Sequence, residues 1–245
     1  MKPRLIAKTT ALVSLCVGFA VLFAGLGVWQ LQRRVWKLDL IAQVEQRLAA
    51  PPVGAPGPLD WPHLAPANDV YRRVVLSGVF DHDRETLTQA VTVLGPGFWV
   101  LTPLRTDQGF TVLVNRGFVP AERAAASRRA AGQVRGEIRV VGLLRFTEPG
   151  GGFLRRNQPA AGRWYSRDVA AIAQSRGLGV VAPYFVDADG APNPGGWPRG
   201  GLTVVRFPNS HLIYALTWFA LALFSAGAAA YVLADARRSR REDAA

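Results

Sequence analysis

Two apolar runs, one near each end, constrain this chain more than any other feature. Residues 11–28 are apolar apart from Ser14, and residues 212–234 carry no charge at all. A membrane-spanning helix needs about 20 apolar residues, and nothing between the runs comes close. The pattern predicts transmembrane helices over 11–31 and 211–234, with one domain over 32–210 between them. The first run also has the basic start of a secretory signal in Lys2, Arg4 and Lys8. It exceeds the roughly 7–15 residues of a signal core. It then passes into Trp29-Gln30-Leu31-Gln32-Arg33 without a small-residue cleavage site. It is therefore read as a retained anchor.

Charge gives the topology. Lysine and arginine number 29 against 17 acidic residues, a net charge of +12. Part of that excess flanks the apolar runs, as Lys2, Arg4 and Lys8 in segment 1–10 and as Arg237, Arg238, Arg240 and Arg241 in segment 235–245. Basic flanks stay on the cytoplasmic side, so both ends read as cytoplasmic and the domain as lying across the membrane. The domain's other arginines are scattered along strands rather than gathered in a stripe with aromatics, which argues against nucleic acid. Arg33, Arg34 and Lys37 break the rule, because they follow the first span directly. A loop this long crosses regardless of charge, and their cost marks them as candidates for binding.

Cys16 is the single cysteine, so neither an intramolecular disulfide nor a cysteine-based metal site is available. His63, His82 and His211 are too far apart for metal-ligand spacing.

Leu31, Val35, Leu38 and Ala42, with Ile41, Val44 and Leu48, recur at helical spacing. The first helix should therefore continue over 32–50 and stop at Pro51 and Pro52, before an irregular linker over 51–69. Residues 70–80, 85–93, 98–106, 110–115, 137–146, 180–187 and 202–207 read as strands, rich in β-branched and aromatic residues between turn signals. Thr106-Asp107-Gln108-Gly109 should close a hairpin over 98–115. Short helices are expected over 121–131 and 168–175, the second capped by Ser166. The fold class is membrane α + β: two transmembrane helices flanking a β-rich domain, a curved antiparallel sheet or open barrel.

No nucleophile elbow, Walker loop, Rossmann fingerprint, HExxH or CxxC occurs, so nothing asks for an enzyme. Asp81 and Asp83 beside Arg84 and Glu85 read as a solvated turn. Three segments stand out. In the first, Trp29, Arg33 and Trp36 share one helical face, either an interfacial aromatic belt or a cation-aromatic surface for an anionic amphiphile or partner helix. In the second, Asn115-Arg116-Gly117, the glycine should take a positive φ at a strand end, with Pro120 starting the next element. In the third, Asn209 or Ser210 should cap the second span, with His211 in its first turn beside Tyr214 and Trp218. His211, Ala215, Trp218, Ala222 and Ser225 give a small-and-polar seam. The histidine is either interfacial or a haem-iron ligand. As a ligand it would hold the ring between the spans, with its propionates on Arg33, Arg34 or Lys37.

At these residues the chain resembles the surfeit locus protein family of cytochrome c oxidase assembly factors. The resemblance runs through Leu26-Gly27-Val28-Trp29-Gln30, Arg33-Arg34, Trp36-Lys37, Gly78-Val79-Phe80-Asp81-His82 and Val114-Asn115-Arg116-Gly117-Phe118-Val119-Pro120. It continues through Trp164-Tyr165-Ser166-Arg167-Asp168, Phe185-Val186-Asp187-Ala188, Asn209-Ser210-His211-Leu212 and Thr217-Trp218. It implies a non-enzymatic factor that matures subunit I of cytochrome c oxidase and handles haem a, with His211 at the family's candidate haem ligand. It also implies subunit I, haem a synthase and the lipid bilayer as partners. The chain starts at its span without a transit peptide, so the expected address is a bacterial inner membrane with a periplasmic domain.

Overall fold

The computed structural model describes residues 3–242. Lys2 of the expected basic start, and residues 243–245 of the expected tail, lie outside them. In chain order the elements are α1 (Pro3–Ala49), β1 (Val53–Gly54), α2 (Pro66–Asp69), β2 (Arg73–Phe80), β3 (Thr86–Thr92), β4 (Gly95–Thr106), β5 (Thr111–Pro120), β6 (Glu137–Phe146), β7 (Gly151–Gly152), β8 (Arg155–Arg156), α3 (Val169–Ser175), β9 (Val181–Ala188) and α4 (His211–Glu242). They form two compact units, Met1–Gln43 with Arg206–Ala245, and Val44–Val205.

The first unit is a pair of long helices. The 47 residues of α1 make a rod roughly 70 Å long at about 1.5 Å per residue. Both α1 and α4 are long and apolar enough to cross a membrane, and their apolar stretches are almost wholly uncovered. Apolar surface of that extent is stable in lipid and not in water.

The second unit is built on a closed barrel. Its strands run β2-β6-β9-β5-β4, and Gly78–Phe80 of β2 returns to pair with Leu104–Thr106 of β4. Every neighbouring pair in the ring is antiparallel except β5–β9, which is parallel. β3 flanks β4 outside the ring, and β1 runs parallel to β2. Successive strand side chains point to opposite faces, and this alternation builds two cores. Val74, Leu76, Leu104, Val112, Val114, Leu144, Tyr184 and Val186 fill the interior, as expected for a barrel too narrow to hold a channel. Their odd-numbered neighbours Leu101, Leu113 and Phe185 pack outside against Trp164, Val169 and Ile172 beneath α3.

The two long apolar helices and the β-rich domain between them stand as the sequence predicts, and the sheet goes further by closing. Segment 202–207 forms no strand. Its alternation is strand-like, but the β2–β4 pairing has already closed the ring and leaves no interior place for it. Segment 121–131 is not one helix but 3-10 turns at Ala121–Arg123 and Ala126–Gly132, interrupted at Arg129 (φ −140°). There the Arg129 guanidinium takes the Arg123 and Ala124 carbonyls that a helix would use. The cap of α3 is Asp168, which accepts from Ala171 N at 3.1 Å. Ser166 instead donates to the Glu148 carbonyl at 2.7 Å. The segment 51–69, expected to be irregular, instead holds β1 and α2 and is seated on the barrel: Trp61 stands edge-on to Phe110 at 5.5 Å, and the Tyr184 hydroxyl donates to the Pro56 carbonyl at 2.8 Å.

Asp187, in β9, ties the ring together. Its buried carboxylate accepts from Asn115 Nδ2 at 2.7 Å, Arg145 at 2.9 Å, Arg167 at 3.2 Å and Thr203 Oγ1 at 2.9 Å. These come from β5, β6, the approach to α3 and the loop after β9. Glu148 joins from the surface side through Arg167. Burial pushes the Glu148 carboxyl up, but the Arg167 hydrogen bonds and the Arg145 charge outweigh it and hold the pKa below its usual range.

Candidate functional site

The α1–α4 pair carries most of the candidate residues. On α1 a row of partly or fully covered residues, Val13, Cys16, Ala20, Phe23, Gly27, Gln30, Arg34 and Lys37, runs alternately three and four residues apart. On α4 a matching row runs through His211, Ala215, Trp218, Ala222, Ser225 and Ala229, with Phe219 beside it and the same alternation. That is the seven-residue repeat by which two helices keep one seam in contact. The seam is tight because small residues let the backbones approach. A β-carbon at Gly27 would lie 2.6 Å from the Phe219 ring. Phe23 stacks on Trp218 at 5.6 Å between centroids. These contacts, with Gln30 against His211 and Lys37 over the Phe207 ring at 5.2 Å, make the pair antiparallel.

At one end of the seam His211 Nδ1 lies 2.7 Å from Gln30 Oε1. An amide oxygen only accepts, so Nδ1 must donate. A neutral imidazole then keeps its lone pair on Nε2. This is how protein-held metal ligands are usually oriented, one ring nitrogen fixed by a hydrogen bond and the other offered.

The structure sorts the sequence candidates into two sets. His211, Trp218, Arg34 and Lys37 are on the seam. Trp29, Arg33, Trp36 and Tyr214 are outside it, with Trp29, Trp36 and Tyr214 each about half exposed. Arg33 lies over the Trp36 ring at 4.5 Å, so the predicted cation-aromatic face exists but turns away from His211. Gln30 escaped notice in the sequence. Its signal was available, as an uncharged amide three residues from Gly27 on the same helical face. The buried Asn209 Oδ1 makes no hydrogen bond among the described residues, and the Ser210 carbonyl accepts from Tyr214 N at 3.3 Å.

The second sequence motif is in the barrel. Gly117 has the expected positive φ, +127°, but within β5 and not at its end. The strand runs on to Pro120, held by the Arg199 backbone through paired hydrogen bonds with Phe118. Arg116 is buried, and its Nη1 faces His82 Nδ1 at 3.5 Å. His82 Nε2 meets the Val134 carbonyl at 2.9 Å. A carbonyl only accepts, so the neutral ring donates from Nε2 and presents its Nδ1 lone pair to the guanidinium. Burial lowers the His82 pKa below its usual 6.5 and the charges of Arg116 and Arg129 lower it further, against the Val134 hydrogen bond and Glu85. The unfolded chain therefore binds this proton at a higher pH than the folded one. The stability linked to His82 is complete above pH 6.5 and is lost as pH falls through the lower folded value. The wild-type melting temperature should drop with acidification below pH 6.5, and His82→Gln should flatten that slope. An unchanged slope would place the titration elsewhere.

The SURF1 family model matches residues 17–223. Surfeit locus protein 1 of Homo sapiens is 39% identical over 215 residues, covering 80% of this chain and 69% of that protein. A SURF1-like protein of Monosiga brevicollis is 38% identical, covering 80% of this chain and 78% of its own length. A SURF1-like protein of Caenorhabditis briggsae is 30% identical over 85% of this chain and 71% of its own. The matched span takes in the His211 end of the seam and the whole barrel, and on that footing the chain belongs to the SURF1 family.

Proposed function

We propose that this protein is a membrane-anchored, non-enzymatic assembly factor for cytochrome c oxidase that holds haem a transiently at the outer end of the α1–α4 seam. The role in oxidase assembly follows from the family. The observation that carries the haem reading is the His211–Gln30 hydrogen bond at 2.7 Å, which leaves Nε2 as a ligand atom. Haem supplies an iron that accepts an imidazole nitrogen, and two anionic propionates. The residues present fit both needs. Arg34 and Lys37 continue the Gln30 face of α1 four and seven residues on and are cations suited to propionates. Farther in, Gly27, Ala215 and the Phe23–Trp218 stack fill the seam, so the ring belongs at its end and not deep between the helices. A single axial nitrogen near the surface also suits release, since delivery requires weaker binding than at the oxidase. The basic flanks put both termini on the cytoplasmic side and the barrel across the membrane, which in a bacterium is the periplasm. Subunit I, which receives the haem, and haem a synthase, which makes it, are the partners this role needs.

A second reading has its own observation. The exposed Trp29, Arg33 and Trp36 face suits a partner helix, and the protein would then hold subunit I open without touching haem. The visible absorption spectrum separates the two. Wild-type protein purified from haem a-producing cells should show a haem a band, and His211→Ala should lose it. If neither protein carries haem while both bring down subunit I, the scaffold reading replaces the carrier.

A further inference from the structure

The barrel interior ends in a charge, Arg116, that no carboxylate grips. Along β5, Val112 and Val114 face the interior core, and by the strand period Arg116 is the next residue on that side. It is only 2% exposed and lies over the Phe80 ring at 4.9 Å. Its Nη2 donates to the Gly132 carbonyl and to Asn193 Oδ1, the latter at 3.2 Å. Its Nη1 faces His82 Nδ1. All three partners are neutral. The nearby carboxylate, Glu85, is gripped by both terminal nitrogens of Arg129, itself 4% exposed. Two buried guanidinium groups thus share one carboxylate. A buried cation without a counter-charge is costly, and that burial lowers the Arg116 pKa to about 10.

Beside Arg116 a cavity of about 260 Å³ opens at the barrel mouth, between the loops that carry Val134 and Asn193. Its walls include Phe80, Ile138, Val140, Ala188, Pro192 and Pro194. Arg139 and Asp189, both exposed at the rim, are of opposite sign, and Asp189 is already committed to Ala191 N at 3.0 Å. Barrel mouths are a recurrent place for small ligands.

We infer that this cavity binds a carboxylate carrying a short apolar body, with the carboxylate on the Arg116 guanidinium and the body against the Phe80–Ile138–Val140 wall. Among the described residues nothing accepts from Arg116 Nε, and Nη1 has a second N–H, so donors remain for a carboxylate. A monoanion balances the single excess charge. A phosphate dianion would overshoot it, and its further oxygens would meet carbon. An acid without a tail forgoes the walls, where each buried methylene adds roughly fourfold in affinity.

The test is calorimetric titration of the full-length protein in nanodiscs with hexanoate, N-acetyl-leucine, acetate and inorganic phosphate, with empty nanodiscs as blank. Saturable binding of hexanoate or N-acetyl-leucine, well above acetate and phosphate, is expected. Loss of one charge-assisted hydrogen bond should weaken it about tenfold or more in Arg116→Gln. The same loss is expected in Ala191→Trp, which fills the cavity from an exposed rim position. The tighter of the two acids distinguishes a free short-chain acid from the carboxyl end of a peptide. Should Arg116→Gln fail to fold, Ala191→Trp decides alone. Binding no tighter than acetate or phosphate, or unchanged in Ala191→Trp, overturns the assignment.

Discussion

Asp187→Ala should unfold the barrel more readily than any single change on its surface. The substitution strips the buried counter-ion from Arg145 and Arg167, whose guanidinium groups are largely buried, at 17% and 13% side-chain exposure, and leaves them only the more exposed Glu148. It also removes the acceptor for Asn115 and Thr203. Breaking a buried ion pair from one side costs about 3–5 kcal/mol, a large share of the roughly 5–15 kcal/mol that holds a domain. Glu148→Ala provides the contrast within the same network. Its side chain is 37% exposed, so water replaces what is lost and the cost should be about 1 kcal/mol or less. Denaturant titration of the full-length protein, followed by tyrosine and tryptophan signals from the barrel, reads both. Equal midpoints for the two variants would show that the hub does not hold the ring.

The second large effect is expected at Gly117. Its φ of +127° is one that a residue with a β-carbon adopts only under strain. A β-carbon there would also land on the Arg199 carbonyl, so the loop that pairs with Phe118 would have to leave. Gly117→Ala should therefore cost about 3 kcal/mol or more. Gly109 separates the two causes. It has a φ of +87° in the β4–β5 turn with open space around it, so Gly109→Ala carries backbone strain alone, about 1 kcal/mol. If both variants lose the same stability in the titration above, the Arg199 contact contributes nothing.

What the sequence disclosed, and what it withheld, follows from the range of the interactions. The helices over the two apolar runs were legible because their solvent is lipid, and length and apolarity alone decide that. The 98–115 hairpin was legible because Asp107-Gln108-Gly109 is a local turn signal. Barrel closure was not, since the pairing of Gly78–Phe80 with Leu104–Thr106 depends on how far a twisted sheet curls. Segment 202–207 misled because a strand-like pattern does not by itself recruit a pairing partner; Thr203 spends its hydroxyl on Asp187 instead. In the candidate site, His211 stood out as a lone imidazole at a span end. Gln30 did not, because its role exists only once a residue 181 positions away is brought beside it. Arg33 and Arg34 looked equivalent in sequence, and a rotation of about 100° per residue put one outside the seam and the other on it.

The parallel β5–β9 pair sets the order in which the protein can be made. β9 lies between β6 and β5, so the ring cannot close until Val181–Ala188 has arrived, although β2 to β6 emerge far earlier. Pairings between distant segments form slowly, and until then β5 and β6 present bare edges on which another chain could template. The last strand comes just ahead of α4, the second helix long and apolar enough to cross a membrane. During synthesis the barrel therefore stays open until shortly before α4 is made, and any delay at that step prolongs its exposure to proteases and to mispairing.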